Sequence, residues 1–367
     1  MIQFNATSVS SRSKDFIGKV LDSNCLSEGE TVKEFEIQLQ NLLHLVRKPV
    51  AVNSGTSALH LAVVVAGIQE GDEVILPAQT FIATGLPILM QKAKPVFADI
   101  QPDTGNICPQ SIRQKITPKT KAIMPVHWCG YPCDLDEIHA IAKEHQLVVI
   151  EDAAHSIGAS YKGQMIGSIS PFTCYSFQAI KHLTTGDGGA VCCLTSEHES
   201  ELLKKRWFNI DRERDQPSIL GERVYNSEDI GFKYHMNNIA AALGLANLSD
   251  LPQILERHRS IGRFYRQQLQ AVSGLSLLSF AEDRESSYWR FTVLVEERER
   301  FIRALASRGV PTSIINGRID KNKVFGGVTP GLVGQELFEE KHVALPLHNG
   351  LTEGDVSLVI EAIKMGW

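Results

Sequence analysis

Three short segments carry residue types able to do covalent chemistry. The first, Asn53-Ser54-Gly55-Thr56-Ser57-Ala58, opens an apolar helical stretch. A helix start presents unpaired N–H groups and the positive end of the dipole, so a phosphate is held there readily, with the Thr56 and Ser57 hydroxyls as further donors. Taken alone, its commoner meaning is a Ser/Thr cap on a buried helix. The second, Val148-Val149-Ile150-Glu151-Asp152-Ala153-Ala154-His155, is an apolar strand ending in an acid. Ligands of open α/β sheets bind beyond the carboxyl ends of strands, which gives Asp152 a functional reading beside that of a turn or capping residue. In the third, residues 176–189, a single lysine, Lys181, leaves a strand through an apolar and hydroxyl-bearing stretch before a glycine turn. A desolvated lysine is a nucleophilic amine that forms Schiff bases, whereas most single lysines are solvated surface charges.

A phosphate cradle, a strand-end Asp and a buried lysine, in that chain order, are the parts needed to hold pyridoxal 5′-phosphate. The lysine takes the aldehyde, the acid keeps the pyridine nitrogen protonated, and the helix start holds the phosphate. The conjunction is far more specific than its members.

The elements that must position these groups form a repeating pattern. From about Lys48 to Leu194, β-branched runs alternate with helical stretches, the signature of βαβ units around a mostly parallel sheet. Strands are expected in DEVILPAQTF, AKPVFADI, KAIMPVHW and LVVIEDAA, with two more at 172–178 and 190–194. Helices are expected at Gly85–Gln91, near Pro109–Lys115 and at Leu135–His145. After a charge-dense segment at 199–225 come one or two long helices. The last ~90 residues, by their pattern, hold a strand in SYWRFTVLVE and helices near Glu297–Arg308 and Asp355–Met365. This predicts a large domain over 12–245 and a smaller α/β domain over 246–367.

Composition narrows the function. The 367 residues are 43% hydrophobic and 22% charged, enough for large cores and unlike a disordered chain. With 37 Lys and Arg against 42 Asp and Glu, the net charge of -5 offers no broad cationic field for nucleic acid or anionic lipid. Seven cysteines, an odd number in a long chain, read as reduced thiols. The start lacks the apolar stretch of a signal peptide and no run is long enough for a membrane span, so a soluble cytoplasmic protein is expected.

Two further clusters have bland alternatives. His127, Cys129, Cys133 and Asp134 resemble metal ligands, but one C-x3-C is not the paired C-x2-C of a zinc ribbon, and no metal is expected. Lys204, Lys205, Arg206, Arg212 and Arg214 surround Trp207 and Phe208. Arg206 or Arg212 is expected to contact a substrate diphosphate, against the default of a solvated helix face.

Over most of its length the chain resembles the DegT-type sugar aminotransferases, fold type I enzymes that use pyridoxal phosphate on keto-sugar nucleotides. The resemblance lies in NSGTSALHLA, GDEVILPAQTFIAT, PVFADI, KTKAIMPVHWCGYPCDLDEI, VVIEDAAHSIGA, YSFQAIKHLTTGDGGAV, GFKYHMNNIAAALGLANL and ALPLHNGLTEGDV. It implies an α/β/α sandwich with a smaller C-terminal domain, Lys181 as the lysine that binds the cofactor and shuttles the proton, and Asp152 on the pyridine nitrogen. It also implies that Gly55, Thr56 and Ser176 hold the phosphate and that Phe81 stacks on the ring. Such enzymes resemble one another in being homodimers that share a phosphate contact, placed here in Gly231-Phe232-Lys233-Tyr234-His235-Met236. Lys233 stands where many members have Asn, and His155 where Gln is common, in reach of the ring oxygen. A Tyr-Pro-x-x-His-like segment is not found at 311–318, which reads Pro-Thr-Ser-Ile-Ile-Asn-Gly-Arg.

The resulting expectation is transfer of an amino group from an amino acid, glutamate by resemblance, to a 3- or 4-keto nucleotide-linked sugar. The alternatives are a dehydratase or lyase on the same cofactor, disfavoured because Lys181 is present, and a regulatory protein with a degenerate site.

Overall fold

The computed structural model describes residues 2–211, 218–222 and 225–367. Two amphipathic helices, α1 (Ser13–Ser23) and α2 (Glu30–Leu43), come first. Strands and helices then alternate as β1 (Val50–Val52), α3 (Gly55–Val65), β2 (Glu73–Pro77), α4 (Ile82–Met90), β3 (Lys94–Ala98), α5 (Pro109–Lys115), β4 (Thr120–Ile123), α6 (Leu135–His145) and β5 (Val148–Asp152). A small hairpin, β6 (Ser160–Tyr161) and β7 (Gln164–Met165), leads to β8 (Phe172–Ser176) and β9 (Gly189–Cys193). Helices α7 (Ser196–Lys205), α8 (Asn238–Leu248) and α9 (Leu251–Leu269) follow. The C-terminal part contains β10 (Leu275–Leu277), β11 (Arg284–Glu285), β12 (Phe291–Val295), α10 (Arg298–Ser307), α11 (Val333–Lys341), β13 (His342–Leu345) and α12 (Glu353–Lys364).

Seven strands form one sheet in the order β1-β9-β8-β5-β4-β2-β3. The neighbours from β3 to β8 are parallel, and β9 alone runs against both β8 and β1. Because side chains alternate along a strand, each apolar run feeds two faces. Ile75, Ile123 and Val149 meet Phe35 and Leu39 of α2, Ile138 and Ile141 of α6 and Ala241 of α8 on one face. Val74, Leu76, Ala122 and Ile150 meet Leu59 and Leu61 of α3, Ile88 of α4 and Leu202 of α7 on the other. This is a three-layer α/β/α sandwich, the fold type I architecture implied by the resemblance.

A second, antiparallel sheet, β10-β12-β13, packs with α9, α10 and α12 around Tyr265, Phe291, Phe301 and Ile363. Helix α9 spans the two cores, with Leu251 and Leu255 in the first and Ile261, Tyr265 and Leu269 in the second. All seven cysteines are free thiols, and Cys192 and Cys193 point to opposite faces of the large sheet.

One buried ionic network ties α2 and α7 to the sheet edge. Arg206, 6% exposed, donates to Glu36 at 2.7 Å, to the Ala51 carbonyl at 2.8 Å and to Glu28 at 2.6 Å. Glu36, 1% exposed, also accepts the Ala51 N–H at 2.9 Å. Removing Arg206 would leave the buried Glu36 carboxylate with the Ala51 N–H and, as cationic partner among the described residues, only Lys48 at 3.8 Å. Arg206→Met is therefore expected to destabilise the fold by about 3 kcal/mol, as breaking a buried pair does, read as the urea unfolding midpoint. An unchanged midpoint would refute this role.

Candidate active site

The carboxyl ends of β1, β5 and β8 and the amino end of β9 meet at one sheet edge. Register sets this meeting: Gly189 pairs with both Val52 and Ser176. A Cβ on Gly189 would lie 2.6 Å from the Ser54 carbonyl oxygen and 2.7 Å from that of Tyr175, so no side chain fits there. A cavity of about 350 Å³ opens at this edge, lined by Thr56, Phe81, Asp152, His155, Ser176 and Lys181, among others.

Helix α3 begins in the loop leaving β1. Ser54 is its N-cap, with its hydroxyl accepting the Ser57 N–H at 3.0 Å and its carbonyl accepting that of Ala58. The caps use those two amides, and the Gly55 and Thr56 amides remain at the open helix start, beside the exposed Thr56 hydroxyl. Gly55 has no side chain because Ser176 sits against it, where a Cβ would come 2.8 Å from the Ser176 Cβ. The two residues thus form one tight cradle suited to an anion.

Asp152 ends β5 and is buried. Its Oδ2 accepts from Thr84 at 2.7 Å, and its Oδ1 accepts the Ala154 N–H at 3.1 Å. Thr84 lies one turn into α4, within 2.6 Å of the Thr80 hydroxyl. Burial pushes the Asp152 carboxyl above its ordinary pKa of 3.8, against the lowering pull of these hydrogen bonds and of Lys181.

Lys181 lies in the loop between β8 and β9. Burial pushes its pKa from 10.5 down to about 7, with Asp152 opposing that shift. Its Nζ stands 3.9 Å from the centre of the Trp289 ring. Trp289 is held by its indole N–H on the Ile180 carbonyl at 3.0 Å and its backbone N–H on the Cys129 carbonyl at 2.9 Å. His155 stacks on the same indole, ring centres 3.8 Å apart at 8°. Burial, then the Lys181 charge, drives the His155 pKa well below 6.5, so the imidazole is neutral. Its buried Nδ1 has no hydrogen-bond partner among the described residues.

The structure therefore brings together Gly55, Thr56, Phe81, Asp152, His155, Ser176 and Lys181 around one cavity. It does not bring Arg206 there. The expectation that Arg206 grips a diphosphate is corrected by its burial against Glu36 and Glu28, which leaves it facing acids of its own fold. Arg212 lies outside the described residues. Lys233 does not line the cavity, and its Nζ stands 3.8 Å from the Trp207 ring centre, while its backbone carbonyl accepts from Asn53 at 3.3 Å.

The residues of HWCGYPCD have other partners. His127 bonds Glu151 through Nε2 and accepts the Cys133 N–H at Nδ1, and the Cys133 thiol faces the Val126 carbonyl at 3.2 Å. Three site residues escaped sequence reasoning: Thr84, Trp289 and Asn316. Thr84 carried a faint signal, one helical turn from Thr80 in TFIAT, whereas Trp289 and Asn316 lie more than 100 residues beyond Lys181 with no motif to join them. Asn316, from the segment that lacks the expected pattern, lines the cavity in a left-handed conformation with φ 46°. Its carbonyl accepts from the buried Gln79 amide at 3.0 Å.

These residues fit pyridoxal phosphate on three counts. A buried carboxylate awaits a positively charged partner, an unpartnered imidazole nitrogen borders the cavity, and a glycine-tight helix start offers two amides to a phosphate.

Known proteins agree with the geometry. Residues 8–364 match the model of the DegT/DnrJ/EryC1/StrS aminotransferase family. The chain is 35% identical over 309 residues to GDP-perosamine synthase of Escherichia coli O157:H7, covering 83% of this chain and 82% of that protein. Among solved structures it is similar to the sugar aminotransferase CalS13 of Micromonospora echinospora, with a TM-score of 0.95, 33% identity and full coverage of both chains. It is also similar to Spr1654 of Streptococcus pneumoniae in its PLP form, with a TM-score of 0.91, 29% identity and coverage of 99% of this chain and 98% of that one. The chain belongs to the DegT/DnrJ/EryC1/StrS family of pyridoxal phosphate-dependent sugar aminotransferases.

Proposed function

We propose that the chain moves an amino group from an amino acid, glutamate in our reading, to a 3- or 4-keto deoxy sugar linked to a nucleotide. The observation that carries this is the meeting of the Lys181 amine, the Asp152 carboxylate and the open start of α3 around one cavity. The relative named GDP-perosamine synthase supports a sugar nucleotide as acceptor.

When bound, pyridoxal phosphate supplies an aldehyde that exchanges amines and a ring that accepts electron density from the reacting carbon. The Gly55 and Thr56 amides, with the Thr56 and Ser176 hydroxyls, would hold the phosphate. Asp152, aimed by Thr84, would keep the ring nitrogen protonated. Phe81 would pack against the ring, and the unpartnered His155 Nδ1 would hydrogen-bond its oxygen. Lys181 Nζ would hold and move the proton that the amine exchange requires, in one direction with the amino donor and in the reverse direction with the sugar. Before the cofactor binds, burial brings the Lys181 pKa down to about 7, so near neutral pH a share of the amine is unprotonated and able to take up the aldehyde.

In this reading two copies assemble and Lys233, exposed on the surface, serves the phosphate site of the second copy. The reaction takes place in the cytoplasm, where the seven thiols stay reduced.

The test is the visible absorbance of the cofactor-loaded protein. It should bleach with glutamate and return with a keto-sugar nucleotide, whose aminated product is identified by mass spectrometry and NMR. Failure of every keto-sugar nucleotide to restore the absorbance would overturn the acceptor. Lys181→Ala is expected to slow the half-reaction with glutamate by at least ~10²–10⁴-fold, the usual worth of a positioned acid/base, and to abolish the protein-linked visible band. Asp152→Asn keeps the shape but not the charge, and should slow the same half-reaction by at least ~10²-fold with the cofactor still bound. Because only the unprotonated Lys181 amine can take up the aldehyde, the rate at which the unloaded wild-type protein gains its visible band on mixing with pyridoxal phosphate should fall as pH drops through about 7. A rate flat from pH 5 to 8 would exclude that role.

A further inference from the structure

Arg290, at the entry to β12, is 4% exposed. Among the described residues it has no carboxylate partner. One guanidinium nitrogen donates to the Trp289 carbonyl at 2.8 Å, another to the Asn5 amide oxygen, and its Nε has no partner. The charge rests on aromatic faces, 4.3 Å from the Trp289 ring centre and 5.7 Å from that of Phe4. A buried cation without a counter-ion is expensive to keep and projects a field that its surroundings do not cancel.

Lys181 shares its aromatic neighbour. Its Nζ and the Arg290 guanidinium lie against the same indole, at 3.9 and 4.3 Å. The other groups facing this pair are Asp152 from β5, Cys129 from the turn at 128–130, His155, His182, His258 of α9 and His348. Burial holds the four imidazoles below their ordinary pKa and the Cys129 thiol up at about 12, so they are neutral near pH 7. Two fixed charges remain to act on the lysine, and they oppose one another: Asp152 favours its proton and Arg290 repels it.

We propose that Arg290 is a positioning residue for the reaction: its guanidinium, unpaired with any carboxylate and set against the same Trp289 indole as Lys181, adds to burial in favouring the free-base amine. The role rests on Lys181 being the reactive amine, as proposed above, and requires nothing of the sugar or the donor. Trp289 holds both cations to one ring, with no carboxylate paired to the guanidinium among the described residues. Arginine suits the task because its guanidinium stays charged at this depth, where a lysine would lose its own proton.

The experiment reads the lysine directly, in the full chain before cofactor is added. Trace acetic anhydride labels free amines, and the Lys181 peptide is followed by mass spectrometry from pH 5 to 10. The wild-type midpoint is expected near 7. In Arg290→Met it should rise by on the order of one unit, which reduces labelling at pH 6 roughly tenfold. Arg290→Gln, which keeps a hydrogen-bonding side chain, gives the same reading should the Met variant fail to fold. Asn5→Leu removes a guanidinium partner without changing charge and should leave the midpoint in place. A midpoint that stays near 7 in the folded neutral variants, or that Asn5→Leu moves as far as they do, would overturn the proposal. Absence of sugar-nucleotide turnover in the wild type, with the labelling shift intact, would instead count against the proposed substrate alone.

Discussion

Everything at the site depends on the reversal of one strand. Parallel strands need a long crossover between them, and such a crossover would carry the residues after β8 away over a helix. Because β9 runs antiparallel to β8, the connection at 177–188 leaves and re-enters the sheet at the same edge. Phe177 closes its base, donating to the Gly188 carbonyl at 2.8 Å and accepting from the Thr185 N–H at 3.0 Å. Lys181 is thereby kept above the carboxyl ends that also carry Asp152 and the start of α3. The reversal needs Gly189, the one residue narrow enough to lie between the Ser54 and Tyr175 carbonyls.

Burial then supplies the reactivity. Lys181, Asp152 and His155 all shift toward their neutral forms, and in each case desolvation is the largest cause. Their mutual charges work differently. Asp152 and Lys181 each favour the charged form of the other, while Lys181 pushes His155 further toward neutrality. The carboxylate has two hydrogen bonds that fix its direction, whereas the imidazole Nδ1 has none. One group is thus oriented in advance and the other is left with a bond to make. A ligand with a ring nitrogen at one end and a ring oxygen at the other would satisfy both.

Much of this was readable from residue order, because the site is built mainly within one continuous stretch. The alternation from Lys48 to Leu194 foretold the sheet, and the helices at Pro109–Lys115 and Leu135–His145 lie where their apolar spacing placed them. Pattern was weaker at Pro87, where the helix expected from Gly85 begins three residues earlier, at Ile82, and holds the proline within it. Helices α1 and α2 precede the βαβ pattern and went unread, although Glu36 of α2 anchors Arg206. Arg206 itself was misread because a cation beside aromatics looks the same in sequence whether its acid partner is a ligand or a residue 170 positions away. Trp289 and Asn316 were missed for a related reason: packing of the C-terminal part against the sheet edge, which no local spacing encodes, brings them to the cavity.

That packing is specific at Ser287. Its N–H donates to the Gly130 carbonyl at 3.0 Å, its hydroxyl to the His155 carbonyl at 2.8 Å, and its own carbonyl lies 3.0 Å from His182 Nε2. These three contacts bind one buried residue to the turn after β4, the loop after β5 and the residue next to Lys181. Two positions on, Trp289 donates to the Cys129 carbonyl at 2.9 Å, and Cys129 holds a left-handed φ of 51° to present it. A non-glycine residue in that conformation costs about 1 kcal/mol or more and persists only where its surroundings fix it. Here the same hydrogen bonds that fix the turn fix the indole. The wall beside Lys181 is therefore anchored to the sheet although it belongs in sequence to the C-terminal part. The strand entry thus sets Trp289 and Arg290 beside the lysine, while the exposed Phe81 ring marks the side on which the cavity meets solvent.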